Sequence, residues 1–270
     1  MRALIHHCLA VLLMLLGSGR AAAESKPVLL YSLHFQAPGE NRYPADGAYR
    51  AVLDRLRESF EVRVSAERPS AKLLTGVDVV LLANPNDQAH GTNPPPPHLK
   101  LRDVRTLGQF VEGGGGLIVL GNQEAHNLEL TDLNVLLRRF GLELTNRFHD
   151  AKLITIPHET PVIGGLRWAY YTGNEILLTP RHPAQPTAVI TNDVTQATTT
   201  GKRNEPGILL ATSRPVDGRV VLVTDAGWIT KNALQELGIG GLILQGQDNW
   251  ELFRRLCHWS AKREPAKINE

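Results

Sequence analysis

Six residues could do chemistry together: His34, Asn84, Asn122, Gln123, Asp225 and Trp228. They offer an imidazole, three amides, a carboxylate and an indole. Such a set suits a polyhydroxylated ligand, because amides and carboxylates exchange hydrogen bonds with hydroxyls and an indole covers the apolar face of a sugar ring. His34 and Asp225 could also act as an acid/base pair. Each residue has a structural reading beside the functional one. Asp225 can cap the backbone that follows it, and Asn122 suits a left-handed turn. His34 can be a hydrogen-bonding surface histidine, and Trp228 can close the edge of the core.

Several chemistries are excluded or left without a motif. The Gly-x-Ser-x-Gly of the hydrolase elbow is missing. Gly164-Gly165 and Gly238-Ile-Gly240-Gly241 do not open a helix after a strand, as a dinucleotide site requires. His34, His126, His149, His158 and His182 show neither His-x-x-x-His nor His-Glu-x-x-His spacing, so no metal and no cofactor are expected. With 29 basic and 27 acidic residues mixed along the chain, there is no basic stripe for nucleic acid.

What unites the six residues is their place after apolar runs. Residues 27–33 precede His34, 77–83 precede Asn84, 117–120 precede Gly121-Asn122-Gln123, and 220–224 precede Asp225. Continuous apolar runs without alternation are expected of central strands covered on both faces. The third of them is the organising one. A helix over 101–111 runs into Gly113 to Gly116, whose positive φ would let the chain turn sharply into the strand. Helices are also expected over 48–60, 128–140 and 249–262, with 61–65 as an alternating edge strand. The order β-α-β-α-β-α-β-α implies a parallel sheet with right-handed crossovers. In such sheets ligands bind beyond the carboxyl ends of the strands, where the six residues would converge.

From 142 to about 206 the pattern changes to short β-rich pieces between Pro and Gly turns, read as an extension of the same domain. The fold class expected is α/β, a flavodoxin-like, mostly parallel sheet with helices on both faces and a β-rich extension. Met1-Arg2, the apolar 9–16 and Ala21-Ala22-Ala23 read as a signal peptide over 1–23, with an uncleaved anchor as the alternative. The remaining chain, 24–270, is then a single domain, periplasmic or secreted, with no transmembrane helix. It keeps one cysteine, Cys257, whose apolar surroundings suit a buried small hydrophobe better than a reactive thiol.

Four segments carry a family resemblance: 28–49, the glycine-rich 110–121, 133–141, and 218–225 together with Asp248-Asn249-Trp250. With them the chain resembles the class I glutamine amidotransferase-like superfamily, and more closely its non-amidotransferase branch, the GIFT-type and related exported domains. An amidotransferase needs a cysteine on the turn after the central strand. That stretch, 117–123, has none, so glutaminase chemistry is excluded on the residues. The function expected is a non-catalytic binding or scaffold domain for a carbohydrate or a protein partner. The alternative is an exported hydrolase or lyase acting on a sugar-like substrate through His34 and Asp225.

Overall fold

The computed structural model describes residues 25–122, 127–145, 147, 149–150, 153–170, 172–192, 206–231 and 247–263. The leader at 1–23 and the candidate Gln123 lie outside them. In chain order the strands are β1 (Val28–Ser32), β2 (Glu61–Ser65), β3 (Val79–Ala83), β4 (Gly116–Leu120), β5 (Leu142–Leu144), β6 (His149–Asp150), β7 (Leu153–Thr155), β8 (Arg167–Ala169), β9 (Thr172–Gly173), β10 (Ile176–Leu178), β11 (Thr187–Asn192), β12 (Gly207–Ser213) and β13 (Arg219–Val223). The helices are α1 (Arg50–Leu56), α2 (Leu101–Glu112), α3 (Thr131–Arg138) and α4 (Asn249–Ser260).

One sheet has the order β2-β1-β3-β4-β13-β12-β10-β5, with β11 paired to β12. Its block β2-β1-β3-β4-β13 is parallel throughout. This is the flavodoxin-like order 2-1-3-4-5, with β13 in the fifth place. The apolar runs explain the block, since every residue of β1, β3 and β4 is buried. Period-two side-chain alternation then sorts those residues to two faces. Leu29, Tyr31, Leu81, Ile118 and Val221 lie with α1 and α4 in one core. Leu30, Val80, Val119 and Leu222 lie with α2 and α3 in the other.

The β-rich stretch is less separate than the sequence pattern implies. β5, β10, β11 and β12 are antiparallel strands of the main sheet. Among the described residues, β6–β9 and β7–β8 form small sheets of their own. The 48–60 helix is also shorter than expected. Glu61 must pair with Val28, and its N–H donates to the Pro27 carbonyl at 2.9 Å, so the chain leaves the helix after Leu56 to turn back. Among the described residues, no helix is long and apolar enough to cross a membrane.

In the glycine run only Gly114 has a positive φ, +108°. Gly116 is needed for a different reason: a Cβ there would lie 2.9 Å from the Ser260 carbonyl carbon at the end of α4. The backbones of β4 and α4 touch at this point. Gly116→Ala should therefore cost roughly 1–3 kcal/mol in urea denaturation through overpacking. A change under about 0.5 kcal/mol would contradict this contact. Nearby, Cys257 is fully buried, and burial pushes its thiol well up from the ordinary range. It is core, not a nucleophile.

Candidate functional site at the strand exits

The carboxyl ends of β1, β3, β4 and β13 are joined by a chain of polar side chains, much of it supplied by the β1–α1 loop folding back over them. At the reversal of strand order between β1 and β3, the Gln36 amide donates to the Tyr31 hydroxyl (2.9 Å) and to the Ala83 carbonyl (3.1 Å). Tyr31 in turn donates to the Tyr43 carbonyl at 2.5 Å. The Tyr43 hydroxyl accepts from Asn122 Nδ2 at 2.6 Å, and the Asn122 carbonyl accepts from Asn174 Nδ2 at 2.7 Å. Asn174 N–H reaches the Thr224 carbonyl (3.3 Å), and the Thr224 and Tyr170 hydroxyls share a hydrogen bond of 2.8 Å. The aromatic rings hold this chain in place: Tyr49 stacks on Tyr31, meets Tyr43 edge to face and donates to the Ala226 carbonyl at 2.6 Å.

Asp225 lies at the β13 end of this arrangement, 5% exposed, with Oδ1 accepting the Gly227 N–H at 2.8 Å. Burial raises its carboxyl from an ordinary 3.8 to about 7, although the N–H groups of Gly227 and Ala226 and the charge of Arg42 pull the other way. Arg42 cannot compensate more because Glu40 holds it, through Nε–Oε1 and Nη2–Oε2 contacts of 2.9 and 2.6 Å. Hydrogen bonding to Arg42 holds Glu40 down to about 2. The Arg42 guanidinium also lies over the Tyr43 ring, 5.2 Å from its centroid.

Asn84 takes the left-handed turn that the sequence reading gives to Asn122, with φ +44°. Its N–H donates to the Leu120 carbonyl at 2.8 Å, which places it against the β4 exit. The side chain is 1% exposed, and neither its Nδ2 nor its Oδ1 has a partner among the described residues. Asn174 Oδ1 is likewise buried and unpartnered.

Asn84, Asn122 and Asp225 thus share one region, and Gln123 lies outside the described residues. The structure does not bring His34 to them. Its Nδ1 is 3.0 Å from the Ala66 carbonyl and its ring meets Phe35, so it leans toward β2. Asp225 follows β13, three strand spacings from β1 or roughly 14 Å, so the two do not form a dyad. Trp228 is also displaced from its expected role. It is fully buried, edge to face with Trp168 and Phe253, and presents no face to a ligand. Sequence reasoning missed Gln36, Arg42, Tyr43, Tyr170 and Asn174. The first three lie in the long loop after β1, where no local pattern marks them.

Among the described residues, one group could hold a metal: His98, Glu129 and Asp132, whose ligand atoms lie within 4.8 Å of one another. None of the histidines weighed in the sequence belongs to it. Glu129 already accepts the Asp132 and Leu133 N–H groups (2.7 and 3.0 Å), so its carboxylate caps the first turn of α3.

No protein-family model and no curated protein matches this chain. Solved structures do. The mmIFT52 N-terminal domain superposes with a TM-score of 0.63 at 13% identity, covering 90% of this chain and 100% of that one. A ThuA-like protein of Bacteroides uniformis gives 0.52 at 10% identity, covering 90% and 96%. Another ThuA-like protein, from Parabacteroides merdae, gives 0.51 at 16% identity, covering 90% and 93%. At such identities the likeness shows the fold alone, α/β and flavodoxin-like.

Proposed function

We propose that this chain is an exported, non-catalytic binding or scaffold domain that takes a carbohydrate-like ligand or a protein partner at its strand exits. The observation that carries the reading is Asn84, a buried amide with no partner among the described residues, held against the β4 exit from which Asn122 bonds to Tyr43 and Asn174. Leaving such an amide unpaired costs roughly 1–3 kcal/mol, an expense that folding alone does not require and that a hydroxylated ligand would offset. Residues 121–126 contain no cysteine, serine or threonine, which argues against acyl transfer through a thiol or hydroxyl nucleophile at the β4 exit. Export rests on the leader-like 1–23. Assignment to the GIFT-type branch rests on the four resembling segments and on the missing cysteine.

One observation favours the alternative, a hydrolase or lyase on a sugar-like substrate. Asp225 ionises near neutral pH at a strand exit, as an acid/base group would. His34 is too far to be its partner, so such an enzyme would have to work through Asp225 alone.

Thermal unfolding with glucose, galactose, mannose, N-acetylglucosamine and xylobiose tests the binding reading. A ligand at about a hundred times its Kd adds roughly 2.7 kcal/mol, a rise of roughly 5–10 °C in a domain of this size. The rise should vanish in Asn84→Gly, which keeps the left-handed backbone and removes the amide. No rise with any of these sugars removes the carbohydrate half of the proposal and leaves the protein partner.

A further inference from the structure

A concave site lies away from the strand exits, and none of the strand-exit side chains lines it. The turn at 157–166, β11, the end of β12 and the end of α4 enclose a cavity of about 420 Å³. That volume falls within the range of small-molecule sites. Thr160, Gln185, Thr187 and Thr212 line it with hydroxyls and an amide, and Arg214 and Trp259 complete the wall. The Arg214 guanidinium lies 5.7 Å from the centre of the Trp259 ring, and Arg219 lies 5.0 Å from it. Arg219 is occupied, donating to the Trp259 carbonyl at 2.5 Å. Arg214 has no carboxylate partner among the described residues, and burial, reinforced by the charge of Arg214, pulls the Arg219 guanidinium below its ordinary range. Two cations therefore share one indole, and among the described residues neither forms an ion pair.

We infer that this cavity binds a carboxylated sugar, a uronic acid or a short oligosaccharide ending in one, with the carboxylate on Arg214. Each part of the wall matches a part of that ligand. A guanidinium takes a carboxylate through two parallel hydrogen bonds. The threonine hydroxyls and the Gln185 amide exchange hydrogen bonds with ring hydroxyls, and an indole edge supplies apolar cover. A doubly charged anion such as phosphate fits less well, because Glu159 also lines the cavity and repels it. The site is independent of the strand exits, and the inference stands or falls apart from the function proposed for them.

Isothermal titration of the protein with galacturonate, galactose and inorganic phosphate tests it, in wild type and Arg214→Gln. Arg214 is exposed, so the variant should fold, which its urea midpoint verifies. Galacturonate should bind saturably, with galactose and the Arg214→Gln variant each weaker by roughly tenfold or more. Arg214 lines this cavity and not the strand exits, so the loss in Arg214→Gln assigns the binding to this site. Absence of binding up to about 10 mM galacturonate, or equal affinity in Arg214→Gln, would overturn the inference. Phosphate binding more tightly than galacturonate would overturn the ligand class.

Discussion

Replacing Asp225 by Asn should stabilise the protein at pH 8 by roughly 4 kcal/mol and leave its stability near pH 4 almost unchanged. The carboxyl ionises near 7 in the folded chain, against 3.8 ordinarily, because burial disfavours its charge. Between those values the folded state holds a proton that the unfolded state has lost. The sign follows: this group's contribution is fully present below about pH 4, declines as pH rises, and is lost above about pH 7. A difference of about three pH units corresponds to roughly 4 kcal/mol. Asn keeps an oxygen for the Gly227 N–H while carrying no charge, so the pH slope due to this group should disappear. Urea denaturation of both proteins from pH 4 to pH 8 measures it. Parallel curves, or a less stable variant at pH 8, would mean that Asp225 is ionised and well compensated in the folded chain.

Asn249→Ala should cost roughly 3–5 kcal/mol, since it leaves three buried backbone groups without partners at roughly 1–3 kcal/mol each. Its Oδ1 accepts the Ala169 N–H at 2.8 Å, and its Nδ2 donates to the Ala169 and Trp228 carbonyls at 3.0 and 2.6 Å. One side chain thereby ties α4 to β8 and to the turn that carries Trp228. Asp248 adds a parallel clamp, accepting from Arg167 N–H at 2.8 Å. Loosening β8 would also free Tyr170, which reaches Thr224 at the strand exits, so ligand-induced stabilisation should fall with it. Asn249→Asp is the control: it keeps the acceptor, loses both donors and places a charge against two carbonyls, so it should be no better than Ala. A loss below about 1 kcal/mol in either variant would contradict the clamp.

The parallel block was legible because burial on both faces leaves a direct mark, an apolar run with no alternation. Residues 79–83 and 116–120 carry that mark and are β3 and β4. The short edge strand Leu142–Leu144 carries no such mark, because three residues are too few to show a period. At the site, the strand exits were legible as positions, and Asn84, Asn122 and Asp225 do converge there. Which side chains meet them was not. Asn174 reaches Asn122 across 52 residues of sequence, and Tyr43 returns from a loop whose course no local pattern dictates. Trp228 illustrates the same point in reverse. An indole after a strand suits a sugar or a core equally, and Trp168 and Phe253, both distant in sequence, decide for the core.

Binding without turnover is the central claim, and one experiment reads both parts in a single sample. The protein is incubated with an oligosaccharide that raises its unfolding temperature, and the mixture is then assayed for bound ligand and for new reducing or unsaturated ends. The account predicts saturable binding, full recovery of the oligosaccharide, and binding retained in Asp225→Asn, because near pH 6 the position is uncharged in both proteins, a protonated carboxyl in the wild type and an amide in the variant. Release of new ends by the wild type, lost in Asp225→Asn, would contradict it and establish catalysis through that carboxyl.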